Sequence, residues 1–144
     1  SIQNSDGSFT KFAYNNLPHT YYSRVGSAIL KGGILLNDNS LIQAGKKNIE
    51  WVISNQLKNG FFKYASFDKN PAYLHTIIYI LEGFIEAYKL LNEKIILDSI
   101  LKNSKKLLQL SKNGILCSQY DENFNCVNKE KCLTGLAQWS GVCK

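Results

Sequence analysis

The sequence predicts an all-α fold built from antiparallel helix hairpins that recur along the chain. Three observations lead to this prediction: glycine turns recur at nearly constant spacing, helical patterns of apolar residues lie between them, and short Leu-Leu-Asn connections lie midway. The apolar content of 44% and the presence of only two prolines in 144 residues fit an ordered globular chain.

The glycine turns define a repeat of just over fifty residues. Asp6-Gly7, Asn59-Gly60 and Asn113-Gly114 place their glycines 53 and 54 residues apart. Glycine adopts a left-handed conformation without steric cost, so each turn is predicted to mark a helix end. Leu35-Leu36-Asn37-Asp38 and Leu90-Leu91-Asn92-Glu93 lie 55 residues apart and are predicted to be tight connections between helices.

Each unit is predicted to contain a polar helix start, an apolar inner helix and an amphipathic outer helix. His19-Thr20, His75-Thr76 and Cys132-Leu133-Thr134 supply the starts. The apolar run 77–85 predicts a helix covered on most sides, and the apolar stripe within 41–53 predicts an outer helix. No segment is predicted to form a strand. The predicted elements are inner helix 20–35, outer helix 39–57, inner helix 72–91, outer helix 95–111 and a third inner helix from near residue 132.

These units are predicted to form one partial (α/α) toroid domain over residues 1–144, with two complete helix pairs and partial units on either side. Helix pairs stacked in series bury their faces only against their neighbours, and terminal units need caps. No cap is recognisable in the sequence. We therefore expect either a longer native protein, closed as a ring of about six pairs, or self-association of the chain through open repeat edges.

Charge and cysteine usage narrow the classes of partner. The net charge of +6 comes from lysine, and Arg24 is the only arginine, so no nucleic-acid surface is expected. The apolar run 77–91 is too short and too charged to cross a bilayer, so no membrane partner is expected. The cysteines match no zinc or redox motif and are expected to be reduced thiols of a cytoplasmic protein. They are Cys117, Cys126, Cys132 and Cys143.

Several motifs resemble those of one protein family. They are Pro18-His19-Thr20-Tyr21 with Arg24, Ser66-Phe67-Asp68, His75-Thr76, and Cys132-Leu133-Thr134-Gly135 with Ala137-Gln138. The resemblance covers the chain from about Asp6 to Gln138 and is to bacterial α/α-toroid proteins found among polysaccharide-biosynthesis genes. These proteins share the superfold of six-hairpin glycosidases, uronate lyases and sugar 2-epimerases, which implies carbohydrate chemistry. Some relatives carry a delta-aminolevulinate dehydratase label, which the absence of predicted strands does not support.

The polar ends of the inner helices are the candidate site, because in a toroid they surround a central pocket. His75, Tyr79 and Glu82 lie at i, i+4 and i+7 on one helix face, and Asp68 shortly precedes that helix. Such groups suit proton transfer on an anionic saccharide. The candidate catalytic residues are His75, Asp68, Glu82 and Tyr79. The candidate substrate-binding residues are His19, Tyr21, Arg24, Cys132, Thr134 and Gln138.

Structural roles compete with these assignments. The two histidines also fit helix caps, Tyr79 fits the core, and Glu82 fits an ion pair with Arg24 across neighbouring inner helices. Two functions therefore stay open. One is a hydrolase, lyase or epimerase acting on a saccharide or polysaccharide, and the other is a non-catalytic carbohydrate-binding or scaffolding repeat.

The helix starts also carry residues of the types that bind metals or act as thiol nucleophiles. Packed helices lie roughly 8–10 Å apart, so His19, His75 and Cys132 are not expected to converge on one zinc ion. No metal and no cofactor are therefore expected. A nucleophilic role for Cys132 requires a histidine within hydrogen-bond reach, and His75 is the nearest candidate.

Overall fold

The computed structural model of the protein describes residues 2–68, 71–112, 114 and 116–143. This part of the chain is mostly helical, which agrees with the predicted all-α class, and it also contains a small antiparallel sheet. The helices are α1 (Ser23–Leu36), α2 (Asn39–Ser54), α3 (Leu74–Leu91), α4 (Lys94–Ser111) and α5 (Leu133–Val142). The strands are β1 (Ala72–Tyr73), β2 (Gln119–Tyr120) and β3 (Cys126–Asn128).

The two predicted helix-to-helix connections are confirmed. α1 packs against α2 and α3 against α4, each pair joined by a short turn. Each turn begins with an asparagine in the left-handed conformation, Asn37 and Asn92, both with φ of 52°. Asp38 then caps α2, because its carboxylate accepts hydrogen bonds from the main-chain N–H groups of Ser40 and Leu41.

The inner helices pack side by side, with α3 between α1 and α5. The apolar run of α3 is buried on most sides, as predicted. Two glycines allow the close approach. A Cβ at Gly83 of α3 would lie 2.6 Å from the main-chain nitrogen of Arg24, and a Cβ at Gly135 of α5 would lie 2.9 Å from that of His75. Gly83 brings the middle of α3 against the start of α1, and Gly135 brings the first turns of α3 and α5 together.

The prediction that the glycine turns mark helix ends is wrong for Gly7 and Gly60, which lie in small closed turns. Gly7 and Gly60 have φ of 98° and 95°, and each lies inside a turn closed by an isolated bridge, Gln3 with Phe9 and Gln56 with Phe62. α2 has already ended at Ser54. The third predicted turn is described only in part, because residues 113 and 115 lie outside the described residues.

The sequence did not predict the sheet, whose strands β2 and β3 lie between α4 and α5 and whose strand β1 lies just before α3. β2 pairs with both β1 and β3 in antiparallel order, and a disulfide joins Cys117 to Cys126 beside these strands. The expectation of reduced thiols is wrong for this pair, because the chain reversal brings the two cysteines together. Cys132 and Cys143 are free thiols.

Three predicted helix boundaries shift. The segment Thr20–Tyr22 forms a 3-10 turn before α1, residues 72–73 belong to β1, and the first outer helix ends three residues before residue 57. The bounds of α4 and the start of α5 lie within one residue of the prediction. None of the described helices combines the length and the apolar character needed to span a membrane.

Candidate functional site

A cavity of about 420 Å³ opens where the loop between α2 and α3 meets the β2–β3 hairpin. We call it the loop-end pocket. Its apolar wall consists of Leu17, Pro18, Phe61, Tyr64, Ala65, Pro71, Ala72 and Tyr120. Its polar side chains are those of His19, Ser66, Asp68, Asp121 and Glu122. This volume and mixture of groups are typical of small-molecule binding sites.

Aromatic packing fixes the walls of the loop-end pocket. Phe61 and Tyr120 are buried, and both contact the ring of Phe124 in the β2–β3 turn at centroid distances of 5.1 and 6.1 Å. Tyr64 is about half exposed and stacks on Trp51 of α2, with their ring centroids 6.0 Å apart. Because the wall is anchored to the core, the pocket is largely pre-formed.

His19 is a structural tie at the back of the pocket. It is only 2% exposed, and its Nδ1 and Nε2 each lie 3.0 Å from a main-chain carbonyl oxygen, those of Ser66 and Tyr14 respectively. Its ring also stacks on Tyr21, with centroids 4.7 Å apart. The tautomer decides which ring nitrogen donates to its carbonyl, and in either tautomer the ring packs between the loop of Ser66 and the segment before α1.

Among the residues that the structure describes, the charged side chains that line the loop-end pocket are acidic. Asp68 lies on the loop before β1, and Asp121 and Glu122 lie on the β2–β3 turn. Partial burial raises the pKa of Asp121, but hydrogen bonds from Asn125 and from the main chain of Asn123 outweigh this and leave the pKa below its ordinary value. The turn therefore presents an ionised carboxylate on a chain whose net charge is positive.

A second polar row runs along α3 outside the loop-end pocket. Oε2 of Glu82 accepts hydrogen bonds from Nη1 of Arg24 at 3.0 Å and from Nε2 of Gln138 at 3.3 Å. The guanidinium of Arg24 lies over the ring of Tyr79, 4.6 Å from its centroid. The ion pair between α1 and α3, which was one of the two readings of Glu82, is therefore present.

His75 and Cys132 meet at the start of the same row. Sγ of Cys132 lies 3.8 Å from Nδ1 of His75, and both residues are half-buried. The rings of Phe67, Tyr73 and Tyr79 surround the imidazole at centroid distances of 5.5 to 6.0 Å. This burial lowers the pKa of His75 below its ordinary value of 6.5, so the imidazole is neutral near pH 7.

The predicted site residues thus divide between two places. His19 and Asp68 line the loop-end pocket. The polar row along α3 contains its own residues His75, Tyr79 and Glu82 and their contacts Arg24, Cys132 and Gln138. His75 and Glu82 are separated by about 10 Å along the helix axis, two turns apart, so they do not form one acid–base pair. Tyr21 is buried, which raises the pKa of its hydroxyl, and Thr134 is exposed at the start of α5.

Sequence reasoning missed the residues that dominate the loop-end pocket. Phe61 and Tyr64 belong to an aromatic run directly after Asn59-Gly60, which is a usable signal. Tyr120, Asp121 and Glu122 join the pocket only through the β2–β3 hairpin. The side-chain amide of Asn59 fastens that hairpin to the Gly60 turn by donating to the main-chain oxygen of Glu122 at 2.8 Å.

Comparison with known proteins adds no relative. No family model matches the chain, and neither a curated protein nor a solved structure matches it. Within residues 2–68, 71–112, 114 and 116–143, no three His, Cys, Asp or Glu side chains are placed to bind one metal ion. The site must therefore be interpreted from its own geometry.

Proposed function

We propose that the protein is a helical-hairpin module that binds a saccharide in the loop-end pocket. One observation carries this proposal: a pre-formed cavity of about 420 Å³ combines aromatic walls with carboxylates at its edge. The apolar face of a sugar ring packs on exposed aromatic carbon, such as that of Tyr64. Carboxylates such as those of Asp68 and Glu122 accept hydrogen bonds from sugar hydroxyls.

Binding is favoured over catalysis because the candidate proton-transfer groups are engaged or lie elsewhere. Both ring nitrogens of His19 contact main-chain carbonyls, and Glu82 is bound to Arg24 and Gln138. His75 does not line the pocket. A hydrolase, lyase or epimerase would have to use the carboxylates that line the pocket, and this is the second candidate function.

The charge of the pocket favours a neutral saccharide over the anionic one that the sequence suggested. The only arginine is paired with Glu82 on α3, and no lysine is among the described lining residues. The carboxylates of Asp121 and Glu122 in the lining repel a uronate or phosphate group. The ligand class we propose is therefore a neutral mono- or disaccharide unit, free or within a polysaccharide.

Calorimetry and saturation-transfer NMR test this proposal with maltose, cellobiose and lactose, and with digalacturonate as the anionic comparison. We expect at least one neutral disaccharide to bind and Tyr64→Ala to weaken its binding about tenfold, a loss of about 1.4 kcal/mol. Phe12→Ala is the matched control, because Phe12 is also an exposed aromatic with positive φ but does not line the pocket.

Three results would decide against parts of this proposal. Equal binding by wild type and Tyr64→Ala would remove the pocket as the site, and binding of digalacturonate alone would restore the anionic ligand. Conversion of a bound disaccharide to products, lost in Asp68→Asn, would make the protein an enzyme. Product analysis by chromatography after prolonged incubation separates the last outcome from binding alone.

We also infer that the two hairpins are units of a larger (α/α) array of the toroid kind. The support is that the glycine turns make corresponding contacts in both hairpins and that α1, α3 and α5 pack in series. Open edges in such an array favour association with further hairpins or with a second copy. Sedimentation over a range of concentrations is expected to show association, and a strictly monomeric protein with one sharp unfolding transition would argue against it.

The disulfide between Cys117 and Cys126 indicates the kind of cellular compartment in which the protein works. The Cys117–Cys126 disulfide is the oxidised form that persists outside the reducing cytoplasm. We therefore favour an oxidising compartment over the cytoplasmic one expected from the sequence. Thiol titration of the natively expressed protein, in cells lysed under a thiol-blocking reagent, is expected to find two blocked thiols and one disulfide.

A further inference from the structure

The thiol of Cys132 and the imidazole of His75 form a pair that saccharide binding does not use. Their atoms Sγ and Nδ1 lie 3.8 Å apart, and neither residue lines the loop-end pocket. A cysteine and a histidine at this distance are the minimum set for nucleophilic thiol chemistry, because the imidazole accepts the proton that the attacking sulfur loses.

The surroundings keep His75 in the form that this role requires. Burial lowers the pKa of His75, so its neutral form, with a lone pair on one nitrogen, predominates near pH 7. The rings of Phe67 and Tyr73 pack against the imidazole and shield it from water. With the ring proton on Nε2, Nδ1 presents its lone pair to the sulfur of Cys132.

The start of α5 supplies hydrogen-bond donors that stabilise negative charge at the site. Cys132 is the residue before the first turn of α5, and the first helical hydrogen bond runs from the main-chain nitrogen of Leu136 to its carbonyl oxygen. The main-chain N–H groups of residues 133–135 therefore have no acceptor within the helix. Such groups stabilise negative charge on a thiolate, or on the oxygen of a carbonyl attacked by it.

Gly135 sets the spacing of the pair. A Cβ at this position would lie 2.8 Å from Cγ of Leu74 and 2.9 Å from the main-chain nitrogen of His75. Any side chain here would push the first turn of α5 away from that of α3. The absence of a side chain is what lets the thiol reach the imidazole.

We propose that Cys132 is an acyl-accepting nucleophile with His75 as its general base. Sγ of Cys132 attacks the carbonyl carbon of an ester or thioester while its proton passes to Nδ1 of His75. The bond from that carbon to the alcohol or thiol then breaks, and the proton moves from His75 to the departing oxygen or sulfur. The products are an S-acyl thioester on Cys132 and a free alcohol or thiol.

The chain contains its own comparison residue for testing this reaction. Cys143 is the other free thiol, lies at the opposite end of the same helix and is exposed, whereas Cys132 is half-buried. Accessibility alone makes Cys143 the faster thiol. The helix dipole has the opposite effect: the C-terminus of α5 disfavours a thiolate at Cys143, and its N-terminus favours one at Cys132. The comparison with His75→Gln separates the effect of the histidine from that of the helix.

The experiment is acetylation of the wild-type protein by p-nitrophenyl acetate near pH 7. Release of p-nitrophenolate is followed by absorbance, and non-reducing peptide mapping by mass spectrometry locates the acetyl group. We expect Cys132 to be acetylated about tenfold faster than Cys143, and His75→Gln to remove that advantage without changing Cys143. Far-UV circular dichroism checks that the variant is folded.

Two outcomes would overturn the proposal. One is faster acetylation of Cys143 than of Cys132 in the wild-type protein, a comparison that needs no variant and does not depend on the folding of His75→Gln. The other is an unchanged rate at Cys132 in folded His75→Gln. Alkylation by iodoacetamide, mapped in the same way, gives a readout in which the adduct does not hydrolyse and should rank the two thiols in the same order.

Discussion

Asn48 and Asn103 make the same buried contact in successive hairpins. Nδ2 of Asn48 in α2 donates to the carbonyl oxygen of Gly7 at 3.0 Å, and Nδ2 of Asn103 in α4 donates to that of Gly60 at 2.8 Å. Both asparagines are fully buried. Each outer helix is thereby fastened to the turn that precedes its own hairpin.

Asn103→Ala is expected to lower the free energy of unfolding by about 1–3 kcal/mol. The substitution removes the 2.8 Å hydrogen bond to the carbonyl of Gly60, which keeps the 3.2 Å bond from Nε2 of Gln56, and it opens a small cavity in place of a fully buried side chain. Urea unfolding followed by circular dichroism measures the change. Lys105→Ala is the control, since Lys105 is exposed on the same helix. A loss no greater than that of the control would mean that the contact is not stabilising.

Gly83→Ala is expected to destabilise the protein by roughly 1–3 kcal/mol, because the added Cβ would overlap the main chain of Ser23 and Arg24. Gly32→Ala is the matched substitution in α1. A Cβ there meets nothing within 4 Å, so alanine should stabilise the helix by about 0.5–1 kcal/mol. Thermal unfolding of both variants gives the comparison, and the same sign for both would contradict the close packing of α1 on α3.

Breaking the Cys117–Cys126 disulfide is expected to cost about 2–3 kcal/mol, because the cross-link restricts a short loop of the unfolded chain. The double variant Cys117→Ser/Cys126→Ser should show this loss in denaturant unfolding. A reducing agent should destabilise the wild type but not the double variant. Cys143→Ser is the control for loss of a free thiol, and the reductant should act on it as on the wild type.

Lowering the pH below 6.5 is expected to destabilise the wild type more than His75→Gln. The pKa of His75 is lowered in the folded state, so between 6.5 and that lower pKa the unfolded state binds more protons. The contribution of His75 to folding stability is therefore fully present above pH 6.5 and is lost as the pH drops through this window. Melting temperatures measured from pH 7.5 to 5 report the difference.

The groups that face His75 guide the interpretation of this pH dependence. Its titratable neighbours are Cys132, Tyr73 and Tyr79, and all three are kept in His75→Gln, so the difference between the two proteins isolates the histidine. Parallel melting curves for wild type and His75→Gln across the pH range would contradict the burial of the imidazole.

The helical architecture was predictable because it depends on local signals that repeat. The apolar run of α3 and the connections at Asn37 and Asn92 each carry a periodicity or a turn residue that is readable in one pass along the chain. The ion pair of Arg24 with Glu82 was also predictable, because the two residues carry opposite charges on neighbouring inner helices.

The sheet and most of the loop-end pocket were not predictable by the same means. Strands of two or three residues, such as β1 and β2, are too short to show alternation, and Cys117 and Cys126 match no recognised spacing. The pocket joins Tyr64 to Tyr120 across more than fifty residues of sequence. Its composition therefore depends on tertiary packing, which a single sequence does not encode in any local pattern.

The fastening of each glycine turn to its own hairpin bears on how such a chain changes in evolution. Gly7 with Asn48 and Gly60 with Asn103 are separated by 41 and 43 residues, so both partners of each bond travel in one segment of the gene. In-frame duplication starting just before Gln3 or Gln56 copies the turn together with the helix that receives it. Breakpoints inside a hairpin separate them. Gain and loss of whole hairpins is therefore the route of divergence that leaves every copy able to close its own turn.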